Sequence, residues 1–227
     1  MEQNLNAKSE KFSFDTIQDF DKHILMSIPN YDIMFMSIMQ LSNYFKNDKK
    51  IIYDIGCSTG NLLRYFQRSN DYKGKMIGID ISRNLLPQNT REFSNIDFIE
   101  HDISKPFTFT DACIIYSIFT LQFVDKEYRQ EILDRCYDGL KPGGALFLSE
   151  KITNPTGLFQ DMFTSTYYDY KRENFTEKEI WDKERDLRPM LRPLTLDENM
   201  IMLHNAGFHK IEMYYRYFNF VGLLCIK

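Results

Sequence analysis

The chain has 227 residues, 43% of them hydrophobic and 26% charged, with a formal net charge of −4. These values suit one α/β domain with a substantial core, and they exclude the basic footprint of a nucleic-acid-binding protein. The longest uncharged run, residues 112–124, is short of the roughly 20 residues that span a bilayer; four cysteines without C-x-x-C spacing argue against a zinc site or disulfide framework and for a cytoplasmic location.

Residues 1–11 are polar, mixed in charge and unlike a signal peptide, and are read as frayed. From Phe14 to Phe45 the pattern is helical, interrupted at Ser27–Tyr31 ("SIPNY"), where Pro29 and Asn30 mark a turn. Met34, Ile38, Leu41 and Phe45 step along one helix face. Residues 12–46 are therefore expected to form a helical lid. Strand and helix signals then alternate. Strand Ile51–Ile55 precedes a helix from about Asn61, and strand Met76–Asp80 precedes a weaker helix from Ser82. Ile96–Glu100 and Ala112–Ser117 read as strands. Helix Lys126–Leu140 ends in "GLKPGG", a helix stop followed by a tight turn, and Ala145–Ser149 is a fifth strand.

Residues 152–195 break this rhythm. They are rich in Tyr, Phe and charge, hold the single Trp and are expected to cover the site as an insertion. In residues 196–227 a helix leads to two β-rich runs joined near Phe220–Gly222, an antiparallel pair that ends the sheet. The alternation implies parallel pairing with right-handed crossovers: one doubly wound, mostly parallel seven-stranded sheet, with residues 50–150 as a cofactor-binding core.

The stretch "YDIGCSTGNLL" (residues 53–63) lies between the first strand and its helix. Asp54, Gly56, Ser58 and Gly60 fall at alternate positions. One reading is a tight strand-to-helix turn; the other is a loop whose small residues let a ligand reach backbone N–H groups at a helix N-terminus. Asp80 ends the second strand, where an acid accepts from ribose hydroxyls or caps a helix. Asp102, in "EHDIS" after the third strand, is placed to accept from an adenine amino group, with Ile103 supplying a backbone N–H. Ser117 and Ile118 close the fourth strand beside them. The loop reads D-x-G-x-S-x-G, not the G-x-G-x-x-G of dehydrogenases. With the antiparallel end pair, this looks like a class I S-adenosylmethionine-dependent methyltransferase.

The resemblance goes further. "SIPNY", "YDIGCSTGNLL", "GIDIS", "HDIS", "FTLQFVDKEYRQEILDRCYDGLKPGGALFLSEK", "YDYKRENF" and "LHNAGF" together resemble the carboxy-S-adenosyl-L-methionine synthase family from about Phe20 to the C-terminus. The resemblance implies that Tyr31, Gly56, Cys57, Ser58, Asp80, Ile81, Asp102 and Ile103 hold S-adenosylmethionine. It also implies a product made from that cofactor and prephenate, used in tRNA wobble-uridine modification. Two positions depart from the family pattern. An asparagine expected before "FTLQF" is Ile118. An arginine that grips the product's extra carboxylate falls on Glu184, with Arg185 next door.

Glu150 and Lys151, Tyr168 with Tyr167 and Tyr170, and Arg185 are the candidates for contact with a second substrate. Each also has a bland reading, as a solvated ion pair or a packed helix face. Cys57 is read as small rather than reactive, and His204 as structural. The leading expectation is a methyltransferase acting on a small-molecule acceptor, because Glu184 would repel a carboxylated cofactor. A carboxy-S-adenosylmethionine synthase and a non-catalytic binding module are the alternatives. No metal, membrane or directly bound nucleic acid is expected; a homodimer through the lid helices is.

Overall fold

The computed structural model describes residues 19–69, 72–87 and 94–227. Seven strands form one sheet in the order β3-β2-β1-β4-β5-β7-β6. β1 (Ile51–Ile55), β2 (Lys75–Asp80), β3 (Ile96–Glu100), β4 (Ala112–Ile118) and β5 (Leu140–Lys151) pair in parallel. β7 (Phe220–Ile226) lies antiparallel between β5 and β6 (Lys210–Tyr217).

Period-two alternation divides the central strands between two cores. Tyr53, Ile55, Ile115, Leu146 and Leu148 pack with Ile132 and Leu133 of α4 (Lys126–Gly139) and Leu203 of α7 (Leu196–Asn205). Ile52, Met76, Ile114, Tyr116 and Phe147 pack on the other face. Their partners are Met34 and Ile38 of α2 (Tyr31–Ser42) and Leu63 and Phe66 of α3 (Asn61–Ser69). Each fully buried large apolar side chain contributes on the order of 1.5–3 kcal/mol. β1 and β4 are covered on both faces, so their carboxyl ends open onto a fixed edge where ligands bind in such sheets. Among the described residues, no helix is long and apolar enough to cross a membrane.

α1 (Phe20–Ser27) and α2 lie where the lid is expected. The insertion folds as α5 (Gly157–Arg172) and α6 (Glu177–Leu187), the latter started by a capping box between Thr176 and Glu179.

Several boundaries differ from the sequence reading. Residues 81–87 form turns and no helix, because Asp80 Oδ1 accepts the Ser82 N–H at 2.8 Å and bends the chain. β5 begins directly after α4, at Leu140. Residues 141–144 are absorbed as a register shift between Ala112↔Leu140 and Ile114↔Ala145, with Gly143 at φ 77. The last hairpin turns at residues 218–219, since Phe220–Gly222 is already paired with β5. The reading of residues 1–11 as frayed and the helical start at Phe14 fall outside the described residues.

Candidate active site

The carboxyl end of β1 runs into a loop folded back over β2. Gly56 and Cys57 both donate their N–H groups to the Ile79 carbonyl, at 2.7 and 3.0 Å. Gly56 sits at φ 72, and a Cβ there would collide with Thr120, whose hydroxyl donates to the Ile55 carbonyl. Ser58 turns through φ 50 and donates its N–H to Asp80 Oδ2 at 2.8 Å. One carboxylate thus joins the loops after β1 and β2.

Three acids converge at the strand ends. Asp54 is buried, and burial, then the neighbouring Asp80, raises its carboxyl well above the ordinary range. Burial acts the same way on Asp102, but hydrogen bonds from Ser104 outweigh it and hold that carboxyl below its usual value. Burial, together with Asp54 and Asp80, raises the Cys57 thiol well above its normal range, so it is a neutral packing group.

These residues open onto one cavity of about 940 Å³. Tyr31, Asp54, Gly56, Cys57, Ser58, Asp80, Ile81, Asp102, Ile103 and Ile118 line it. Two members of the expected cofactor set do not. Gly60 is a packing glycine: at φ 74, a Cβ there would lie 2.5 Å from the Phe98 ring. Ser117 is turned by strand alternation to the opposite side of β4 and is fully buried.

The lid forms the roof. Ile24, Ile28, Tyr31 and Phe35 line the cavity from α1, α2 and the turn between them. Thr59 of the loop donates to Asp21 of α1 at 2.6 Å. Three tyrosine hydroxyls hold the lid's backbone: Tyr170 donates to the Leu25 carbonyl, Tyr167 to Ser27 and Tyr215 to Pro29.

The far end of the cavity is cationic. Lys151 from β5, Lys171 from α5 and Lys183 from α6 line it. Lys151 lies over the Tyr167 ring at 4.8 Å and Lys171 over the same ring at 5.6 Å. Burial and then Lys151 push the Lys171 ammonium down to about 8; burial and then Lys171 push Lys183 to about 8. Burial also lowers Lys151. His23, near the same group, is pushed down to about 4 by burial, Lys183 and Lys171.

Of the candidates expected to meet a second substrate, Lys151 and Tyr167 line the cavity, whereas Glu150, Tyr168, Tyr170 and Arg185 do not. Glu150 lies one residue before Lys151 and so faces the other side of the sheet, where it is buried with its Oε1 lacking a partner. Tyr168 is not on the cavity wall, where Tyr167 stands; its ring packs near Trp181, with centroids 5.5 Å apart. Arg185 is on the outer face of α6, 71% exposed and paired with Asp182 at 2.7 Å. The helical period turns Lys183 and Leu187 inward and carries Arg185 out. Lys171 and Lys183 were missed from sequence, since a lysine on an amphipathic helix normally marks the solvated face. The one local signal was the four-residue step from Tyr167 to Lys171. His204 is structural, its Nδ1 bonded to the Phe208 carbonyl at 2.9 Å.

The acidic end fits a sulfonium nucleoside. Carboxylates at three strand ends accept from hydroxyl and amino groups, and the Ser58 Oγ on the wall is buried without a partner. An Asp-Gly-Ser loop at a helix N-terminus, on the open edge of a 3-2-1-4-5-7-6 sheet, defines a class I S-adenosylmethionine-dependent methyltransferase. Residues 52–144 match the family described as methyltransferase domain. Human N-acetylserotonin methyltransferase in complex with S-adenosylmethionine has a similar fold, with TM-score 0.56 and 19% identity over 87% of this chain and 52% of that one. A SAM-dependent methyltransferase from Archaeoglobus fulgidus aligns at TM-score 0.60 and 13% identity over 92% and 100% of the two chains.

Sequence relatives narrow this class. The carboxy-S-adenosyl-L-methionine synthase of Staphylococcus epidermidis is 35% identical over 95% of both chains. That of Methylococcus capsulatus is 33% identical over 92% of this chain and 89% of its own, and that of Escherichia coli 32% identical over 97% and 93%. The chain belongs to the carboxy-S-adenosyl-L-methionine synthase family. It is an enzyme of the S-adenosylmethionine-dependent methyltransferase type, and S-adenosylmethionine is its cofactor.

Proposed function

We propose that this chain carries out the reaction for which its relatives are named, converting S-adenosylmethionine to its carboxylated form with a small carboxylate-bearing co-substrate, prephenate in the family. The observation that carries the reading is a pair of lysines, the buried Lys171 and the half-buried Lys151, on the wall that also holds Asp54 and Asp80. An acidic compartment and a cationic one share a single cavity. When bound, S-adenosylmethionine would supply a methyl group whose C–H bonds the positive sulfonium acidifies; carboxylation replaces one of these hydrogens with the carboxyl group that the co-substrate gives up. Asp80 and Asp102 accept from the hydroxyl and amino groups of its nucleoside. A positive charge bound beside them would favour the ionised form of Asp54, which burial and Asp80 oppose. Lys151, Lys171 and Lys183 attract the co-substrate's carboxylates and compensate the negative charge that the product gains. Taking a carboxylate out of water requires such partners. Glu184 alone argued for repulsion; three lysines around it reverse the sign. Tyr31, Ile28 and Phe35 close the roof and exclude water.

A second reading is methyl transfer to an anionic small-molecule acceptor. Ile118 and Glu184 favour it, because neither side chain donates a hydrogen bond to a carboxylate. Mass spectrometry of ligand released from the purified protein, before and after incubation with prephenate, separates the two. The expected outcome is a cofactor heavier by one carboxyl group. Unchanged S-adenosylmethionine, with demethylated cofactor accumulating only in the presence of an added acceptor, supports the second reading. In either case we place the enzyme in the cytoplasm, acting on free small molecules with no nucleic acid bound directly. A homodimer would use the lid face turned away from the cavity, where Ile33 is exposed.

A further inference from the structure

We propose that Tyr167 is a positioning residue that couples the two compartments of the cavity: its hydroxyl is fastened to the lid and its ring seats Lys151 and Lys171, so that a bound cofactor prepares the cationic compartment for an anion. The inference rests on the co-substrate reading above for the anion, but not for the link from lid to lysines.

α1 touches both ends of the cavity. Near its start, Asp21 accepts from the Thr59 hydroxyl of the cofactor loop at 2.6 Å. At its last residue, the Ser27 carbonyl accepts from the Tyr167 hydroxyl at 2.9 Å. The helix buries none of its own residues, so these two bonds weigh heavily in fixing its place. Tyr167 is only 8% exposed, and its ring packs against Phe220 with centroids 5.2 Å apart. Over the same ring stand Lys151 Nζ at 4.8 Å and Lys171 Nζ at 5.6 Å from its centroid. Among the described residues, neither lysine makes an ion pair within 4.0 Å.

An ammonium group held away from water without a carboxylate partner leans on the negative face of an aromatic ring, so the ring's position sets where the ammonium stands. Contacts therefore run unbroken from Thr59 through Asp21, α1, Ser27 and Tyr167 to the two lysines. A second path carries no hydrogen bond into the compartment: His23 of α1 meets Phe175 edge-on at 5.6 Å, and Lys171 lies 5.6 Å from that ring. The seated lid is the arrangement that a bound cofactor favours, because the Thr59 loop and the roof residues both border its compartment. With the lid seated, Tyr167 is held and the two ammonium groups stand together for one anion. By linkage, the anion must tighten cofactor binding by the same factor. Tyr170 fastens the neighbouring Leu25 carbonyl but is not on the cavity wall, which makes it the control.

In the test, S-adenosylhomocysteine stands in for the cofactor, since it lacks the methyl group and cannot be carboxylated. Prephenate binding to the full chain is measured by calorimetry with and without it, in wild type, Tyr167→Phe, Tyr167→Leu and Tyr170→Phe. In wild type S-adenosylhomocysteine should tighten prephenate binding about tenfold, within the usual range of coupling between sites. Tyr167→Phe keeps the ring and loses the hydroxyl; it should bind prephenate alone nearly as wild type does, with the tightening reduced to about twofold or less. Tyr167→Leu should weaken prephenate binding in both conditions, and Tyr170→Phe should keep the wild-type ratio. In parallel, acetylation of Lys151 and Lys171 is followed by mass spectrometry without prephenate. S-adenosylhomocysteine should slow it severalfold in wild type and clearly less in Tyr167→Phe. Undiminished coupling in Tyr167→Phe, or equal protection of the lysines in both proteins, would overturn the positioning role. Lysine protection that depends on the hydroxyl, with no prephenate binding in any protein, upholds the link from lid to lysines and counts against the co-substrate reading alone.

Discussion

Asp80 divides its carboxylate between two loops, one oxygen taking the Ser58 N–H and the other the Ser82 N–H, both at 2.8 Å. It therefore shapes the cofactor loop as well as facing the ligand. Asp80→Ala should weaken S-adenosylmethionine binding by about 1–3 kcal/mol, because ribose hydroxyls and two backbone donors lose their acceptor together. Asp80→Asn, which keeps one acceptor oxygen, should lie between. Calorimetry giving equal affinity for Asp80→Ala and wild type would remove Asp80 from the site. The acid was legible from sequence because it ends an apolar strand. Its two backbone bonds were not, since the Ser58 partner comes from another strand's loop.

At the level of elements, α1 and the turn after it are fastened largely by hydroxyl groups, whereas α2 is held by its own packing. α1 contains no buried residue, whereas Met34, Ile38, Met39 and Ser42 of α2 are buried. The Leu25, Ser27 and Pro29 carbonyls, which terminate α1 and form the turn, each accept from a tyrosine of the insertion or of β6. Replacing Tyr167 or Tyr215 by Phe should cost about 0.5–1.5 kcal/mol of local stability, the usual worth of one hydrogen bond. Hydrogen exchange across residues 20–31 should quicken in either variant while the β1–β4 core is unaffected. Bound S-adenosylmethionine should slow exchange over the same residues. If exchange there is insensitive both to ligand and to loss of the hydroxyls, these helices are a fixed wall and not a lid.

Across the whole molecule, Glu150 and Arg129 tie the back of the sheet to the cavity wall. Arg129 is 1% exposed and donates to the Val124, Gln122 and Arg192 carbonyls. Glu150 is buried near the N–H groups of the same 3-10 turn, its Oε1 without a partner. Burial pushes the Glu150 carboxyl up to about 8, against the pull of Arg129 and then of the Leu121 and Gln122 backbone. The folded state then holds a proton that the unfolded chain has released, so stability falls as pH rises from about 4.5 to about 8. His23 works in the opposite sense and lower down: its folded value near 4 makes stability rise with pH between about 4 and 6.5. Glu150→Gln should remove the loss on the alkaline side. Thermal unfolding at pH 8 should then rise relative to wild type, by about 2–4 °C for each kcal/mol recovered, with little difference at pH 4.5. A parallel pH dependence in both proteins would mean that Glu150 is ionised throughout.

The features readable along the chain were those with a local physical cause. Apolar runs ending in Asp54 and Asp80 declare strands whose carboxyl ends meet polar groups. Small residues in "GCSTG" declare a turn that admits backbone donors, and the alternation of elements declares a parallel sheet. Asp54, Asp80 and Asp102 could therefore be singled out before the fold was known, whereas Tyr31 came from the family resemblance. Orientation was not local. Whether Glu150 or Lys151 faces the cavity depends on strand parity at the open end of β5, and that parity is set by pairing with β4 and β7. Whether Lys183, Glu184 or Arg185 points inward depends on the rotation of α6, set by the burial of Ile180 on its inner face. The cationic compartment draws its lysines from three separate elements. Only their packing together makes it a site, because charges far apart in sequence interact only when folding brings them together and removes the water between them.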